Sequence, residues 1–410
     1  MTTSHSSHGR MGDCRVDSLC PRIGIILWSG EYGGAETWSL ALAHALVRRK
    51  IRVTLLIIGS REPLFKVGTT GDLHVEAMRL RRGRDVVRHS NRLSVLVQRL
   101  APDAVILPSA GFLSAVLRIG GYRGRVVAIE HGSLRNLRNL PLFSRAARLV
   151  SELSGIWAVD AQVTPSDFMK REVLRYPHSR IVRRIYPGLD WVAYGWPASV
   201  APLENAMVPG LRLGFAGRLI HGKGVETLLR GFAESRPTTP MTLQIAGDGP
   251  EMSRLVQLSS NLGIADRVNF LGWVADMPSF WRSRDLAVVP SHEWEESFGM
   301  VAAEAMARGL PVLASQNGGL EEIIQNGITG ALFPCGDWRA LARELDRYSA
   351  DPSLIATQGE AALRHARATF DIDRCAEQFD DLISSLLRDG KWILGDHSRS
   401  GADREGVLAS

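Results

Sequence analysis

The sequence predicts two doubly wound, Rossmann-like domains of the α/β class, each with a parallel sheet, facing each other across a cleft. Its 410 residues, 45% of them hydrophobic, are enough to form two separate cores. Short apolar runs alternate with helical segments, as in repeated βαβ units. A stretch rich in Pro and Gly, residues 186 to 210, interrupts this alternation, which then starts again.

The first domain, predicted for residues 21 to 190, contains four apolar runs with the length and composition of buried parallel strands. They are RIGIILW (22 to 28), RVTLLII (52 to 58), AVILP (104 to 108) and RVVAIE (125 to 130). The segment AETWSLALAHALVRR follows the first run and predicts the helix of the first βαβ unit.

The second domain is predicted for residues 210 to 370, after a linker at 191 to 209. Its apolar runs are LRLGFAG, MTLQIAG, RVNFLG, DLAVVP and LPVLAS. A final helix is predicted at 371 to 388, where Asp371 can cap the first turn. The polar ends of the chain, 1 to 20 and 389 to 410, predict disorder.

The net charge of +6 hides a division between the two halves of the chain. Residues 1 to 200 hold 29 Lys and Arg against 15 Asp and Glu, whereas the remainder holds 20 against 28. The basic residues are densest in RLRRGRDVVRHSNRL (79 to 93). Such a half predicts contact with an anionic membrane, an acidic acceptor or nucleic acid; an ordinary solvated Arg-rich surface is the alternative.

Cysteine usage predicts a reducing compartment. The four cysteines, Cys14, Cys20, Cys335 and Cys375, form neither a CxxC pair nor a ligand cluster with His, so we expect no zinc site and no disulfide framework. The N-terminal segment lacks the apolar core of a signal peptide, and no run of about 18 apolar residues occurs. We therefore expect a cytoplasmic protein, either soluble or associated with the cytoplasmic face of a membrane.

Ligands of open parallel sheets bind at the carboxyl ends of the strands, so the cleft between the domains is the predicted site. SGEYGGAETWSL (29 to 40) follows the first strand, and Gly33 and Gly34 there allow the backbone to approach a ligand closely before a helix begins. The motif lacks the full G-x-G-x-x-G pattern. A plain tight turn is the alternative.

The segment GFAGRLIHGKGVETLL (214 to 229) ends a strand and opens a helix in the second domain. Arg218 and Lys223 in this loop can neutralise a diphosphate whose charge grows as a bond to it breaks. A Walker loop needs Ser or Thr after the lysine, and Gly224 stands there, which excludes ATP hydrolysis of that type. Surface charges at a helix start are the alternative.

A histidine follows a strand of the first domain in VVAIEHGSL (126 to 134). His131 at this strand end can hydrogen-bond a sugar hydroxyl or polarise a reacting group, whereas a structural loop histidine is the commoner alternative. His221 and His292 also lie near predicted loops and rank below His131.

Two carboxylates, Glu296 and Glu304, lie eight residues apart in PSHEWEESFGMVAAEAMARGLPVLAS (290 to 315), which predicts a loop, a helix and a buried strand. Eight helical positions span roughly 12 Å, too far for two acids to share one reacting bond. The free N–H groups of Phe298, Gly299, Met300 and Val301 between them favour an anion such as phosphate. This arrangement predicts a long ligand with phosphates in its middle and hydroxyls at both ends.

These motifs together resemble one family. GGAE, EHG, GRLIHGKG, IAGDGP (245 to 250), FLGWV (270 to 274), ESFGMVAAEAMARGLPVLAS and GGLEEIIQNGITG (318 to 330) occur in the order and spacing of the family-4 retaining glycosyltransferases. The resemblance covers roughly residues 21 to 387 and implies the GT-B architecture. It is most specific at the E-x7-E segment, and in the first domain it rests on GGAE and EHG alone.

The resemblance implies contacts with a nucleotide-sugar donor. Glu296 would contact the hydroxyls of the sugar, and Glu304 would hold the ribose. Arg218 and Lys223 would bind the diphosphate together with the N–H groups of residues 298 to 301.

The remaining implied contacts come from both domains. Gly33 and Gly34 would approach the diphosphate from the first domain, His131 would contact the transferred sugar, and the backbone around Val274 would read the base. Ser297 stands where the family commonly has Pro, a departure that removes no functional group. The helix at 371 to 388 would pack back on the first domain.

The function implied is retaining transfer of a hexose-type sugar from a UDP-, GDP- or ADP-sugar to a hydroxyl acceptor, in glycolipid, lipid-linked glycan or polysaccharide synthesis. No cofactor or metal is expected, because the single D-x-D, at 371 to 373, lies where Asp371 is predicted to cap a helix. A sugar-nucleotide epimerase or hydrolase with the same fold is the first rival. A basic protein that binds nucleic acid or membrane is the second, although no nucleic-acid-binding motif occurs and no nucleic acid is expected.

Overall fold

The structure is a computed structural model, and the following description covers residues 21–27, 34–59, 73–80, 89–107, 111–131, 157–175, 178–193, 195, 210–292 and 296–389. Gly33, the segment 1 to 20, and nearly all of the predicted linker and tail lie outside these residues. The predicted fold class is confirmed, because the described chain forms two sheets whose strands all pair in parallel.

The first sheet has seven strands in the order β3-β2-β1-β4-β5-β6-β7. Its strands are β1 Arg22–Leu27, β2 Arg52–Gly59, β3 Leu73–Leu80, β4 Ala104–Leu107, β5 Arg125–Ile129, β6 Ala161–Thr164 and β7 Ile181–Arg184. The chain order reverses between β1 and β4, so the carboxyl ends of these two strands flank the crevice where such sheets bind ligands.

The second sheet has six strands in the order β10-β9-β8-β11-β12-β13. Its strands are β8 Leu211–Ala216, β9 Met241–Ala246, β10 Val268–Gly272, β11 Leu286–Val289, β12 Val312–Ser315 and β13 Gly330–Phe333. Here β8 and β11 are the neighbouring strands at the switch point.

Four strands were absent from the sequence prediction: β3, β6, β7 and β13. LHVEAMRL, which forms β3, alternates polar and apolar residues at the edge of its sheet, and the other three strands have only four residues each. Runs this short cannot be separated from loops by hydrophobic periodicity alone. The runs that were predicted all form strands.

Helices cover both faces of each sheet. They are α1 Gly34–Arg48, α2 Ser90–Leu100, α3 Phe112–Ile119, α4 Asp167–Leu174, α5 Val225–Glu234, α6 Met252–Asn261, α7 Met277–Arg282, α8 Met300–Ala307, α9 Leu320–Ile323, α10 Trp338–Ala350, α11 Ser353–Thr369 and α12 Ile372–Arg388. Among the described helices, none combines the length and apolar composition needed to cross a membrane.

The last helix, α12, belongs to the core of the first sheet although it follows the second domain in the chain. Its apolar face, which includes Phe379 and Leu382, is buried in the same cluster as β1 and α1. Arg48 of α1 pairs with Asp373 at 2.8 Å, which ties the two helices together at their exposed edge. Asp371 caps α12 by accepting the backbone N–H groups of residues 373 and 374, as predicted.

The chain crosses between the two domains beside this cap. Leu189 and Asp371 form an isolated parallel bridge, and an added Cβ on Gly188 would lie 2.3 Å from Cα of Ile372. Two segments of backbone therefore run side by side here, with no room for a side chain at residue 188. Of the described cysteines, Cys335 and Cys375 are both free thiols.

Candidate functional site

The two loops that carry the predicted charges leave neighbouring strands at the switch point of the second sheet. The loop with Arg218 and Lys223 follows β8, and the loop with Glu296 follows β11. The carboxyl ends of parallel neighbours lie at one edge of the sheet, so residues 73 positions apart in the chain are brought together.

Lys223 and Glu296 contact each other directly. Lys223 Nζ donates to Glu296 Oε1 at 2.5 Å, and the Oγ of Ser291 donates to the same oxygen at 2.7 Å. Both charged side chains are largely shielded, with 22% and 13% of their surfaces exposed. The carboxylate of Glu296 is therefore held in one orientation at the mouth of the crevice by two donors.

A close approach of backbones fixes the two loops against each other. Gly224, in the left-handed conformation with φ of 67°, begins helix α5, and an added Cβ there would lie 1.9 Å from the carbonyl oxygen of Pro290. The backbone N–H of His292 donates to the carbonyl of Gly222. The glycine after Lys223, which argued against a Walker loop, is thus required by the packing of this site.

His221 and His292, the two histidines that ranked below His131, lie against each other. The rings of His221 and His292 stack with centroids 5.4 Å apart, and His292 Nε2 lies 3.4 Å from the hydroxyl of Thr227. They pack the β8 and β11 loops together. The carbonyl of His292 also accepts from the side-chain amide of Asn317, so His292 links the β11 loop to the segment after β12.

Arg218 is exposed at the start of the β8 loop. Within the described residues no carboxylate lies at ion-pair distance from its guanidinium, in contrast to Lys223. Gly217, the residue before it, packs against Gly247 so closely that an added Cβ on Gly247 would lie 1.9 Å from the Gly217 carbonyl oxygen. The backbone that presents Arg218 is therefore held firmly while the side chain projects outward.

The start of helix α8 carries a set of backbone N–H groups that find no acceptor among the described residues. Phe298, Gly299, Met300 and Val301 donate no hydrogen bond within the part of the chain described. Gly299 adopts φ of 101°, which L side chains rarely take, and precedes the first helical residue. Backbone donors at the positive end of a helix are chemically suited to an anion, and Lys223 contacts Glu296 in the loop that precedes this helix.

Glu304 lies on α8 with its side chain partly exposed. Burial of the carboxyl raises its pKa to about 7, and the neighbouring indole N–H of Trp281 opposes that rise. Trp281 itself is fully buried on helix α7. The two glutamates therefore differ in kind: one is ion-paired, whereas the other lies in a weakly solvated position.

His131 follows β5 in the first domain and is partly exposed. The Trp38 indole packs edge-on against its ring, with centroids 6.1 Å apart, and Trp38 is 5% exposed. Burial lowers the pKa of His131 to about 4, so the imidazole is neutral near pH 7. A neutral ring has one N–H donor and one acceptor for a polar ligand in the crevice.

The other predicted residues follow strands β1 and β10 in the chain. Gly34 is the first residue of α1 and is exposed, and an added Cβ there would meet open space within 4 Å. Val274 follows β10 and packs against the core cluster of α8. Gly33 lies outside the described residues.

Sequence reasoning missed three residues of this site: Ser291, Trp281 and Trp38. A signal existed for Ser291, which is the first polar residue after a buried strand and lies at the predicted ligand edge. The two tryptophans lie on helices among apolar neighbours. Their contacts with Glu304 and His131 become visible only in the folded chain.

Two family profiles match the chain. Glycosyl transferases group 1 matches residues 210 to 365, and Glycosyltransferase Family 4 matches residues 32 to 191. The lipopolysaccharide core biosynthesis mannosyltransferase LpcC of Rhizobium leguminosarum bv. viciae is 33% identical over 63% of this chain and 75% of its own length. The chain spans 40% to 58% of the length of seven further curated relatives.

Solved structures share the two-domain fold. Sucrose-phosphate synthase of Thermosynechococcus elongatus superposes with a TM-score of 0.75 at 21% identity, over 90% of this chain and 100% of that one. Anabaena HepE in complex with UDP-glucose superposes with a TM-score of 0.72 at 22% identity, over 89% of this chain and 100% of that one. At these identities the likeness concerns the fold.

Proposed function

Because the chain belongs to the group 1 glycosyltransferases of glycosyltransferase family 4, we propose that it moves a hexose from a nucleoside-diphosphate sugar to a hydroxyl acceptor with retention of configuration. The observation that carries the proposal is the cluster at the switch point. Lys223, Glu296 and the four N–H groups at the start of α8, which have no acceptor within the described ranges, lie on adjacent loops. The epimerase or hydrolase and the nucleic-acid-binding alternatives are not favoured, since the matching family profiles are those of glycosyltransferases.

In this proposal the diphosphate lies at the start of α8. Arg218 and Lys223 supply positive charge, and residues 298 to 301 supply backbone donors. These groups stabilise the negative charge that develops on the leaving diphosphate, and they need no reorganisation because the backbone holds them in place. The exposure of Arg218, which has no ion-pair partner among the described residues, supports its part in this role.

The two ends of the donor then have separate partners. Glu296 accepts hydrogen bonds from the sugar hydroxyls, with its carboxylate oriented by Lys223 and Ser291. Glu304 accepts hydrogen bonds from the ribose, and the backbone around Val274 borders the base. Anabaena HepE was solved with UDP-glucose, which makes UDP-sugars the first donors to examine.

Retention follows from a front-face reaction in this proposal. The acceptor hydroxyl oxygen forms its bond to the anomeric carbon on the face from which the diphosphate leaves, and its proton passes to a diphosphate oxygen. His131, neutral near pH 7, contacts the transferred sugar from the first domain. The reaction places no carboxylate in the role of a covalent nucleophile, and the anomeric configuration of the product, read by NMR, tests it.

The acceptor in this proposal is a lipid-linked or polysaccharide hydroxyl presented at the cytoplasmic face of a membrane. The excess of basic residues in the first half of the chain supports contact with an anionic surface. The mannosyltransferase LpcC is named for lipopolysaccharide core biosynthesis, which supports an acceptor of this class. A soluble acceptor is the alternative outcome.

The experiment that tests the proposed function is a thermal-shift panel of UDP-, GDP- and ADP-sugars. A ligand that binds only the folded state stabilises it by about 2.7 kcal/mol at a free concentration of 100 times its Kd. The matched free sugars, which lack the nucleotide, are the control. Absence of any shift with every nucleotide sugar, together with absence of transfer, would reject the proposal.

Metal independence is a separate part of the proposal, because the positive charge at the diphosphate comes from side chains and backbone. Transfer should continue in excess EDTA at the rate seen without it. Complete loss of activity in EDTA, restored by Mg²⁺ or Mn²⁺, would overturn this part and leave the nucleotide site intact.

A further inference from the structure

Helix α4 of the first domain is capped by a residue of the second domain. The Oγ of Ser166 accepts the N–H of Met169, as an ordinary cap does. The next two free amides, of Asp167 and Phe168, donate to the carboxylate of Glu322 at 3.0 and 3.1 Å. Glu322 lies on α9, more than 150 residues away in the chain, so the helix start is completed only by the contact between domains.

A second first-domain group binds the same carboxylate. The hydroxyl of Tyr186 donates to Glu322 Oε1 at 2.6 Å. The Tyr186 ring lies 5.9 Å from that of Phe298, the buried residue that precedes Gly299 at the start of α8. Glu322 therefore accepts three hydrogen bonds from the first domain, and one of the donors also packs against the loop of the proposed diphosphate site.

The loop itself is bonded to the same helix start. Ser166 Oγ donates to the carbonyl oxygen of Ser297 at 2.5 Å, while it accepts from Met169. Ser297 lies between Glu296 and Phe298. Any displacement of α4 relative to the second domain therefore pulls on the backbone that presents Glu296 and the free N–H groups.

Two glycines allow the segment 318 to 322, which ends at Glu322, to pack closely against this loop. An added Cβ on Gly318 would lie 2.4 Å from the Glu296 carbonyl oxygen and 3.3 Å from the Phe168 ring. An added Cβ on Gly319 would lie 2.6 Å from the Ser297 carbonyl oxygen, and the Gly319 N–H donates to the Glu296 carbonyl. The segment 318 to 322 therefore contacts helix α4 on one side and the 296 to 299 loop on the other.

We propose that Glu322 is a positioning residue for the donor site: with Ser166 and Tyr186 it fastens the 296 to 299 loop to the first domain, so that donor affinity depends on this contact between domains. We call these three residues and Ser297 the interdomain clamp. The inference rests on the proposed function, because it assigns the 296 to 299 loop to the donor. Glu322 acts through the loop and touches no part of the donor.

The test compares nucleotide affinity in Glu322→Gln with that of the wild type, by calorimetric titration of UDP, GDP and ADP. Glutamine keeps the size of the side chain but replaces one acceptor oxygen with an NH2 group, which repels a backbone N–H. We expect Kd for the tightest of the three nucleotides to rise by about tenfold, within the usual range of coupling between sites. Tyr186→Phe removes a single hydroxyl from the clamp and should raise Kd by a smaller factor in the same direction.

A matched control separates positioning from general loss of stability. Asp337 caps α10 by accepting two backbone N–H groups, as Glu322 does for α4, but entirely within the second domain. Asp337→Ala should lower the melting temperature and leave Kd unchanged. An increase in Kd in this control as large as that in Glu322→Gln would overturn the proposal.

Hydrogen exchange supplies a readout that does not depend on activity. The amides of Asp167 and Phe168 should lose protection in Glu322→Gln and keep it in Asp337→Ala. Loss of protection without any change in Kd would overturn the positioning role. If the wild type binds none of the three nucleotides, the proposed function fails, and unchanged protection in Glu322→Gln would show that the clamp fails as well.

Discussion

The two domains present opposite kinds of surface to the same crevice. The second domain contributes charge and backbone donors: Lys223 paired with Glu296, the exposed Arg218, and four N–H groups at the start of α8 that have no acceptor in the described part of the chain. The first domain contributes a histidine whose burial beside Trp38 keeps it neutral. The second-domain side therefore has the chemistry that suits an anion, whereas the first-domain side offers a neutral imidazole.

The contrast also explains which side could be recognised in the sequence. An anion site at a helix start depends on glycines and charges at fixed spacings in one loop, so it leaves a local pattern. A neutral histidine in an apolar environment depends on side chains from other elements, so it leaves only one polar residue after a strand.

The largest effect is expected on removal of the cations of the second domain. Lys223→Ala and Arg218→Ala should each lower kcat by a factor on the order of 10² to 10³, because each removes positive charge from the leaving diphosphate. Steady-state kinetics measures the decrease in kcat. Arg364→Ala, which removes a solvent-exposed arginine of α11, is the control and should behave as the wild type. Wild-type activity in both site variants would mean that the anion site lies elsewhere.

The two glutamates should respond differently to the same change. Glu304→Gln should raise the Kd of the free nucleoside diphosphate by a factor on the order of 10 to 100, the value of a hydrogen bond to a charged group. Glu296→Gln should leave that Kd nearly intact and mainly lower kcat, because its partner is the sugar. Calorimetric titration and kinetics together distinguish the two. The reverse pattern would show that the carboxylates serve the opposite ends of the donor.

The pH dependence of nucleotide binding sharpens this distinction. With a pKa of about 7, Glu304 is mostly protonated at pH 6 and mostly ionised at pH 8, and the ionised form is the better acceptor. Affinity should therefore rise by about tenfold between these values. The rise should vanish in Glu304→Gln, and its persistence there would assign it to another group.

Stability should move in the opposite direction over the same window. The pKa of Glu304 is raised by folding, so its contribution to stability is full below the ordinary glutamate pKa and is lost as pH rises through about 7. Glu304→Gln carries no such charge, and its melting temperature relative to the wild type should be highest above pH 7.

The first domain is tested by removal of its neutral imidazole. His131→Ala should lower kcat/KM by about tenfold at most, the loss of one neutral hydrogen bond to the sugar. His74→Ala, which removes an exposed imidazole on β3, is the control and should have no effect.

The lowered pKa of His131 also makes two predictions about pH. The pH profile of activity should show no rise or fall caused by His131 between pH 5 and 8, because the ring is neutral throughout this range. The unfolded chain binds this proton more readily than the folded chain between about pH 4 and 6.5, so stability should rise with pH there. His131→Ala should have a shallower rise, and an unchanged slope would count against the neutral histidine.

The smallest effect is expected on membrane association. The wild type should float with vesicles rich in phosphatidylserine at low salt and release them as salt is added, because screening weakens each contact. Arg92→Ala and Arg123→Ala, at exposed positions of the first domain, should each reduce binding by about fivefold, near 1 kcal/mol per cation. Phosphatidylcholine vesicles are the control. Absence of flotation at low salt would favour a soluble acceptor.

The sequence by itself determined the two-domain architecture and the candidate residues of the anion site. Buried parallel strands such as β1 and β11 are continuous apolar runs, so they can be recognised from the local sequence alone. The glycine at position 299, directly before a helical run, marks a helix start in the same way. The short strands β6 and β13 were not predicted, because four residues are too few to show a clear hydrophobic pattern.

Only the tertiary structure decided which of these residues touch. Lys223 donates a hydrogen bond to Glu296 at 2.5 Å because β8 and β11 are neighbours in the sheet. The sequence of neither segment predicts this strand order. The raised pKa of Glu304 and the lowered pKa of His131 arise from burial by other elements. Glu322 meets α4 only where two domains pack. Local pattern determines elements and motifs, whereas contacts and ionisation depend on groups that are distant in the chain and adjacent in space.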